Sequence, residues 1–335
     1  MRAAVMQGLH KPLAIETLAD PTPAAGQLVV KVGRCGICGS DLHMTEDAGY
    51  GMGAGDVLGH EFAGEVVALG SGVEGVKTGD LVSVIPLMSC GQCAACTAGD
   101  LAWCDQFGLQ GGGYAEYALT RPNQCVVLPK SVSLEDGAIV EPLAVALHGV
   151  SLSGIKPGDK ILVLGAGPIG LAVAFWARRA GATRVVMQDI APHQRERALE
   201  MGATDFIVDR EDPIGASTRA LGGLADIVFE CVGVPGLIAQ AVSQVRGRGS
   251  IVLLGLCNQP DTLNTFAMLS KEIRLITSAF FTRGEYESAL DALDRGAAEP
   301  RALITQTVSL AETPDMFESL KQRTHQCKVM IAPGT

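Results

Sequence analysis

The chain has 335 residues, a formal charge of −10 and a hydrophobic fraction of 47%. That length exceeds one ordinary core, so two domains are expected, and the acidic balance argues against nucleic acid or anionic membrane as a partner. No apolar run is long enough to span a bilayer and no basic segment leads into an apolar one at the start, so a cytoplasmic location is expected.

The first part holds short β-branched runs broken by Gly and Pro: LVVKV (28–32), GEVVAL (64–69), DLVSVI (80–85), YAEYAL (114–119) and CVVLP (125–129). They predict a compact, mostly β, barrel-like domain. Within it, Cys90, Cys93, Cys96 and Cys104 follow the spacing C-x2-C-x2-C-x7-C. Four thiolates this close suit one tetrahedral Zn²⁺ with no open position, hence a structural site. An iron–sulfur cluster is the other use of such a pattern. A second set is dispersed: Cys35 in GRCGICGSDLH, His60 and Glu61 in GHEFAGEV, and Glu141 in IVEPLAVALHG. A thiolate, an imidazole and a carboxylate can hold a catalytic Zn²⁺ whose fourth position stays open. The remaining Cys38, Cys125, Cys231, Cys257 and Cys327 read as reduced, buried small residues.

Beyond about residue 149 the pattern changes. Apolar strands such as KILVLG (160–165), RVVMQD (184–189), DFIVD (205–209), DIVFEC (226–231), SIVLLG (250–255) and EIRLITSA (272–279) alternate with helical stretches. Strands apolar on both faces and separated by helices predict βαβ units and a parallel sheet. Gly165-Ala166-Gly167-Pro168-Ile169-Gly170 follows the first of these strands and opens a helix, as a dinucleotide fingerprint requires. The first glycine makes the turn, the second admits a pyrophosphate and the third lets helix and strand pack. Pro168 suits the first helical turn. Asp189, nineteen residues past Gly170, ends the next strand. A carboxylate there accepts from ribose hydroxyls and repels a 2′-phosphate, which favours NAD over NADP; Arg195 nearby is the residue that could accommodate that phosphate. The tail carries EYESALDALDRG, an expected amphipathic helix, and CKVMIA (327–332), expected to return to the first domain.

Taken together, GRCGICGSDLH, VLGHEFAGEVVALGSGV, the four-cysteine lobe, GGYAEYA, EPLAVALHG and VLGAGPIGLA make the chain resemble the zinc-dependent medium-chain alcohol dehydrogenases, in the sorbitol, butanediol and threonine dehydrogenase-like branch. The resemblance covers essentially the whole chain. It implies an α/β protein with a GroES-like β-barrel catalytic domain (1–148 and 284–335) and a doubly wound Rossmann domain with a six-stranded parallel sheet (149–283). It implies two zinc ions per chain, one catalytic on Cys35 and His60 with Glu61, Glu141 or both, and one structural. It implies hydride transfer between NAD and a secondary alcohol or ketone, with zinc as Lewis acid. Ser40 is then the first proton acceptor and His43 the exit of the relay. Cys231, Leu254, Gly255 and Phe280 join the Gly-rich loop and Asp189 around the cofactor. A homodimer or homotetramer is expected.

Departures from that pattern bear on the substrate. Where polyol enzymes carry an Arg-Tyr-type pair after the last Rossmann strand, this chain has Phe281-Thr282. An apolar wall there points to a relatively apolar secondary alcohol or diol, with Ser40 and Phe281 as the expected substrate residues. A polyol substrate and a non-catalytic NAD-binding relic are the alternatives. At the position where the family often has arginine after the ribose aspartate, Gln194 stands one residue ahead of Arg195.

Overall fold

The computed structural model describes residues 1–322 and 325–335. The chain divides into two units: Met1–Glu141, Thr282–Ala297 and Ile304–Thr335 form the first, and Pro142–Phe281 with Ala298–Leu303 the second. The crossover therefore falls earlier than residue 148, and 298–303 belongs to the second unit rather than to the first.

The first unit opens with β1 (Arg2–Val5) paired antiparallel to β2 (Ala14–Thr17). Next come β3 (Leu28–Gly36), the short helix α1 (Gly39–Met44), β4 (Glu61–Leu69) and β5 (Leu81–Val84). The pairing of β3 with β4 shifts register between Val32 and Arg34. Such a bulge adds a residue and changes which side chains face the core. Past it, Cys35 lies opposite Phe62, fully buried. At the bulge, a Cβ on Gly33 would overlap the Leu134 side chain, so glycine here makes room for the start of a helix.

Strands β6 (Leu87–Met88) and β7 (Gly108–Leu109) pair antiparallel and bracket α2 (Ala94–Ala98) in the cysteine-rich lobe. Then follow β8 (Tyr117–Thr120) and β9 (Cys125–Val127). Helix α3 (Leu134–Ser153) begins where Ser133 Oγ accepts from the Asp136 amide (3.1 Å) and Asp136 Oδ2 accepts from the Ser133 amide (3.2 Å). Two otherwise orphaned donors are thereby satisfied reciprocally. Sequence periodicity does not reveal this helix. Ala138, Ile139, Val140, Leu143, Ala144 and Ala146 are all buried, so no polar stripe marks a face.

The second unit alternates β10 (Lys160–Leu164), α4 (Pro168–Arg179), β11 (Arg184–Gln188), α5 (Arg195–Glu200), β12 (Asp205–Ile207), α6 (Pro213–Leu221), β13 (Ala225–Glu230), α7 (Leu237–Gln244), β14 (Val245–Leu253), α8 (Thr265–Ser270) and β15 (Arg274–Thr277). All six strands are parallel, in the order β12-β11-β10-β13-β14-β15. The order reverses at β10, and ligands of doubly wound sheets bind outside the carboxyl ends of strands at such a switch point. Helix α6 has no counterpart in the sequence reading; it starts on Asp212, whose Oδ1 accepts from the Gly215 amide at 2.8 Å. The carboxyl end of α7 is closed by Lys271, whose Nζ donates to the carbonyls of Val242 (2.7 Å) and Val245 (2.9 Å). A cation there meets both the unpaired carbonyls and the negative end of the helix dipole. Lys271→Met is expected to destabilise the second unit by about 1–2 kcal/mol. A urea midpoint equal to that of the parent protein would refute this.

The chain returns to the first unit through α9 (Arg283–Asp294), capped reciprocally by Thr282 and Glu285, then β16 (Ile304–Ser309), α10 (Thr313–Leu320) and β17 (Lys328–Ala332). Strand β17 lies antiparallel to β3, with Met330 opposite Gly36 and Ile331 opposite Cys35, so CKVMIA does close the first domain. The sheet runs β16-β17-β3-β4-β5-β9, with β8 also on β3. Its inner face and the helices pack one core that includes Leu28, Val30, Phe62, Tyr114, Phe317 and Ile331.

Candidate active site and metal centres

The lobe between β6 and β7 gathers Cys90, Cys93, Cys96 and Cys104, whose sulfurs all lie within 4.8 Å of one another. Backbone N–H groups point at them. Cys104 Sγ accepts from the Cys90 and Gln106 amides at 3.3 Å, and Cys90 Sγ from the Cys93 amide at 3.4 Å. Hydrogen bonds from the Gln92 and Cys93 amides pull the Cys90 thiol down to about 6, while burial and the neighbouring Cys93 push Cys96 up to about 11. Four sulfur donors, with no His, Asp or Glu joining them among the described residues, fit a closed Zn²⁺ site.

A second cluster forms where β3 ends, α1 begins and β4 begins. Donor atoms of Cys38, His60 and Glu61 lie within 4.8 Å of one another. Here the structure corrects the sequence reading, which placed Cys35 in this set. Cys35 Sγ fills space left by Gly59 and Gly113, where a Cβ would come within 2.9 Å and 2.5 Å of it, and its contact is the Gly36 carbonyl at 3.6 Å. Burial pushes its thiol well above the usual value, helped by the nearby Asp41 and Glu61 charges. The physical cause is the bulge before it, which turns Cys35 into the core while Cys38 caps α1. The expectation that the remaining cysteines are buried also fails in part. Cys125 is buried; Cys38, Cys231 and Cys327 are half-buried and Cys257 is exposed.

His60 is oriented from behind. Its Nδ1 lies 3.2 Å from Asp41 Oδ1, and Asp41 Oδ2 accepts from the Tyr114 hydroxyl (2.6 Å) and the Cys38 amide (3.0 Å). Burial alone would lower the imidazole's proton affinity. The Asp41 carboxylate outweighs burial and raises it well above the usual range. A carboxylate against Nδ1 holds the ring in place and turns Nε2 toward the cluster. Glu61 is 1% exposed; its Oε1 accepts from Lys328 Nζ at 2.7 Å, while its Oε2 has no hydrogen-bond partner among the described residues. An orphaned buried carboxylate oxygen beside a thiol and an oriented imidazole is the donor set a catalytic Zn²⁺ uses.

In the second unit, the loop from β10 into α4 carries the glycines. Gly165 has φ 95°, a left-handed conformation that favours glycine. A Cβ on Gly170 would overlap the Gly165 carbonyl oxygen, so this glycine serves packing. Gly167 differs. Its φ of −74° is open to any residue and a Cβ would meet nothing within 4 Å. The fold does not require glycine there, but a pyrophosphate lying against the backbone does. Asp189 stands beside this loop, accepting from the Ala166 amide (2.9 Å) through Oδ2 and from the Ile190 amide (2.6 Å) through Oδ1.

Two family models match the chain: the alcohol dehydrogenase GroES-like domain over residues 24–130, and the zinc-binding dehydrogenase over 168–295. The chain belongs to the zinc-dependent medium-chain alcohol dehydrogenase family. It is 33% identical over 348 residues to a sorbitol dehydrogenase of Bacillus subtilis (strain 168), spanning 100% of this chain and 98% of that protein. It is 32% identical over 341 residues to an (R,R)-butanediol dehydrogenase of the same organism, spanning 97% and 98%. A solved short chain alcohol dehydrogenase (rspB) from E. coli CFT073, complexed with NADH, superposes with a TM-score of 0.91 at 29% identity, covering 99% of both chains. A second similar structure, from Sinorhizobium meliloti 1021, is bound to NADP. The protein is thus a zinc-dependent, NAD(P)-dependent alcohol oxidoreductase, built from a GroES-like domain and a Rossmann-type domain.

The other expected site residues of this dehydrogenase are placed as follows. Ser40 Oγ lies 3.5 Å from His60 Nε2, at the metal cluster. His43 is exposed one helical turn later on α1. Residues three apart on a helix share a face. Glu141, in α3, is 7% exposed and is not among the converging donors. Burial raises its pKa to about 7, with the His60 charge opposing and the Glu61 charge adding to the shift. Ile169 opens α4 after Pro168. The Cys231 amide donates to Leu164 O (2.9 Å), and the Leu254 and Gly255 amides donate to Glu230 O (2.8 and 3.0 Å), all at the carboxyl ends of central strands. Arg195 is drawn over the Phe206 ring, 5.3 Å from its centroid. Phe280 takes a left-handed φ of 61°, uncommon for a side chain of that size, and Phe281 is buried. Besides Cys38, sequence reading missed Asp41, Tyr114 and Lys328. For Asp41 the signal was local, an acid three residues from Cys38 at a helix start; for Lys328 no local signal exists.

Proposed function

We propose that Cys38, His60 and Glu61 hold the catalytic zinc, that Cys90, Cys93, Cys96 and Cys104 hold the structural one, and that the enzyme oxidises secondary alcohols or diols with NAD⁺, or runs the reverse reduction. The observation that carries this is the convergence of Cys38, His60 and the unpartnered Glu61 Oε2 beside Ser40. Zinc bound there would act as a Lewis acid that makes the substrate hydroxyl acidic near neutral pH. Asp41 and Tyr114 keep His60 in one orientation. Ser40 takes the hydroxyl proton and His43, on the same helix face, passes it to solvent. Glu141, buried on α3, acts through its charge on His60 and Glu61. Gly167 and the amino end of α4 seat the pyrophosphate, and Asp189 accepts from the ribose hydroxyls, which supports NAD over NADP.

Phe281 in place of a cationic residue supports a relatively apolar alcohol or diol over a polyol. The exposed apolar side chains Phe266 and Leu269 on α8, next in sequence to the edge strand β15, support self-association into a dimer or tetramer. Ten cysteines, with no disulfide among the described residues, support a reducing, cytoplasmic location.

The test is an absorbance screen of zinc-replete protein against polyols, vicinal diols and aliphatic, cyclic and benzylic secondary alcohols, with NAD⁺ and NADP⁺ in parallel. NADH formation with simple alcohols or diols is expected. Turnover of polyols alone would overturn the substrate reading, and preference for NADP⁺ the role given to Asp189.

A further inference from the structure

Glu61 and Lys328 sit on strands that are not neighbours. Glu61 begins β4 and Lys328 begins β17, and β3 runs between them. The pair can meet only by crossing over the backbone of β3, and the residue at the crossing is Gly36, opposite Glu61 on one side and Met330 on the other. A Cβ on Gly36 would overlap Glu61 Oε2 and lie 3.1 Å from Lys328 Cδ. Glycine there is what lets the two side chains touch. Both are 1% exposed. Lys328 Nζ is doubly anchored, to Glu61 Oε1 at 2.7 Å and to the carbonyl of Ile37 at 3.1 Å, the residue before Cys38. One carboxylate oxygen is thus occupied and the other is left without a hydrogen-bond partner among the described residues.

A carboxylate can offer a metal one oxygen or two, and a catalytic zinc works only if a position stays open for substrate. We propose that Lys328 is a positioning residue that restricts Glu61 to a single donor oxygen, Oε2, and so keeps that position open. This rests on the reading of Cys38, His60 and Glu61 as catalytic ligands. The fixed cation also offsets the anionic Cys38, Glu61 and Asp41 around the site, so less negative charge opposes the metal's pull on substrate.

Lys328→Met removes the donor while keeping an unbranched side chain. Freed Oε1 is then expected to join the metal, giving an activity loss of about 10–100-fold, the usual range for an outer-shell partner. Zinc should be retained, with release to dipicolinate no faster than in the parent protein. In cobalt-substituted protein the d–d absorption should weaken as coordination number rises. In a Glu61→Gln background Lys328→Met should leave that spectrum unchanged. Gly36→Ala, which displaces Oε2 itself, should speed loss of the catalytic zinc while the four-cysteine lobe keeps its metal, and it carries the test should Lys328→Met not fold. An unchanged cobalt spectrum would mean that Lys328 only fills space, faster zinc loss in Lys328→Met would overturn the proposal that it holds Oε1 back from the metal, and unchanged zinc release in Gly36→Ala would overturn Oε2 as the donor. A parent protein holding one zinc per chain would instead sink the ligand assignment on which the inference stands.

Discussion

Replacing Cys38 by serine is expected to abolish alcohol turnover and remove one zinc per chain, whereas Cys35→Ser should leave both nearly intact. Cys38 supplies the sulfur that converges with His60 and Glu61, and its amide is held by Asp41. Loss of a direct ligand should exceed the roughly 10–100-fold cost of losing an outer-shell partner. Cys35 lies in the barrel core against Gly59 and Gly113. A serine hydroxyl there costs about 1–3 kcal/mol of stability for its incomplete hydrogen bonding. Metal analysis with single-turnover rates decides between the two cysteines. Wild-type turnover in Cys38→Ser would refute the assignment, as would an inactive Cys35→Ser that retains its fold and its lobe zinc.

The second large effect separates two glycines of one loop. Gly170→Ala forces a Cβ onto the Gly165 carbonyl oxygen, so backbone must move. It is expected to cost about 1–3 kcal/mol of stability and to weaken NADH binding. Gly167→Ala has free space around its Cβ and an ordinary φ. It should unfold at the parental midpoint yet raise the Kd for NADH by about 10-fold or more, equivalent to about 1.4 kcal/mol. Thermal melts and NADH fluorescence titrations read the two separately. Parental NADH affinity in Gly167→Ala would mean that the pyrophosphate does not lie against this residue.

Much of this protein is local in its sequence. The four cysteines of the lobe lie within one short segment, so their chemistry can be read from spacing alone. The dinucleotide loop is legible for the same reason: strand, glycines and helix are consecutive, and Asp189 follows one βαβ step later. The apolar strands of the second unit announce a sheet covered on both faces, and the order of β10 to β15 bears that out. Helix α3 escaped because it is apolar on every side, which erases the period that marks a surface helix.

What the tertiary structure decided is everything that depends on register. Cys35 and Cys38 are three residues apart in a glycine-rich run, and either could be the ligand by type. A single bulge in β3 sends one into the core and leaves the other at the cap of α1. Because side chains alternate along a strand, one extra residue reverses the side that Cys35 faces, while Cys38 lies past the strand's end, and no composition or spacing rule records either fact. The same holds for Lys328. It is 267 positions from Glu61. Only the placement of β17 and β4 on either side of β3, with a glycine at the crossing, turns a lysine near the end of the chain into a neighbour of the metal site.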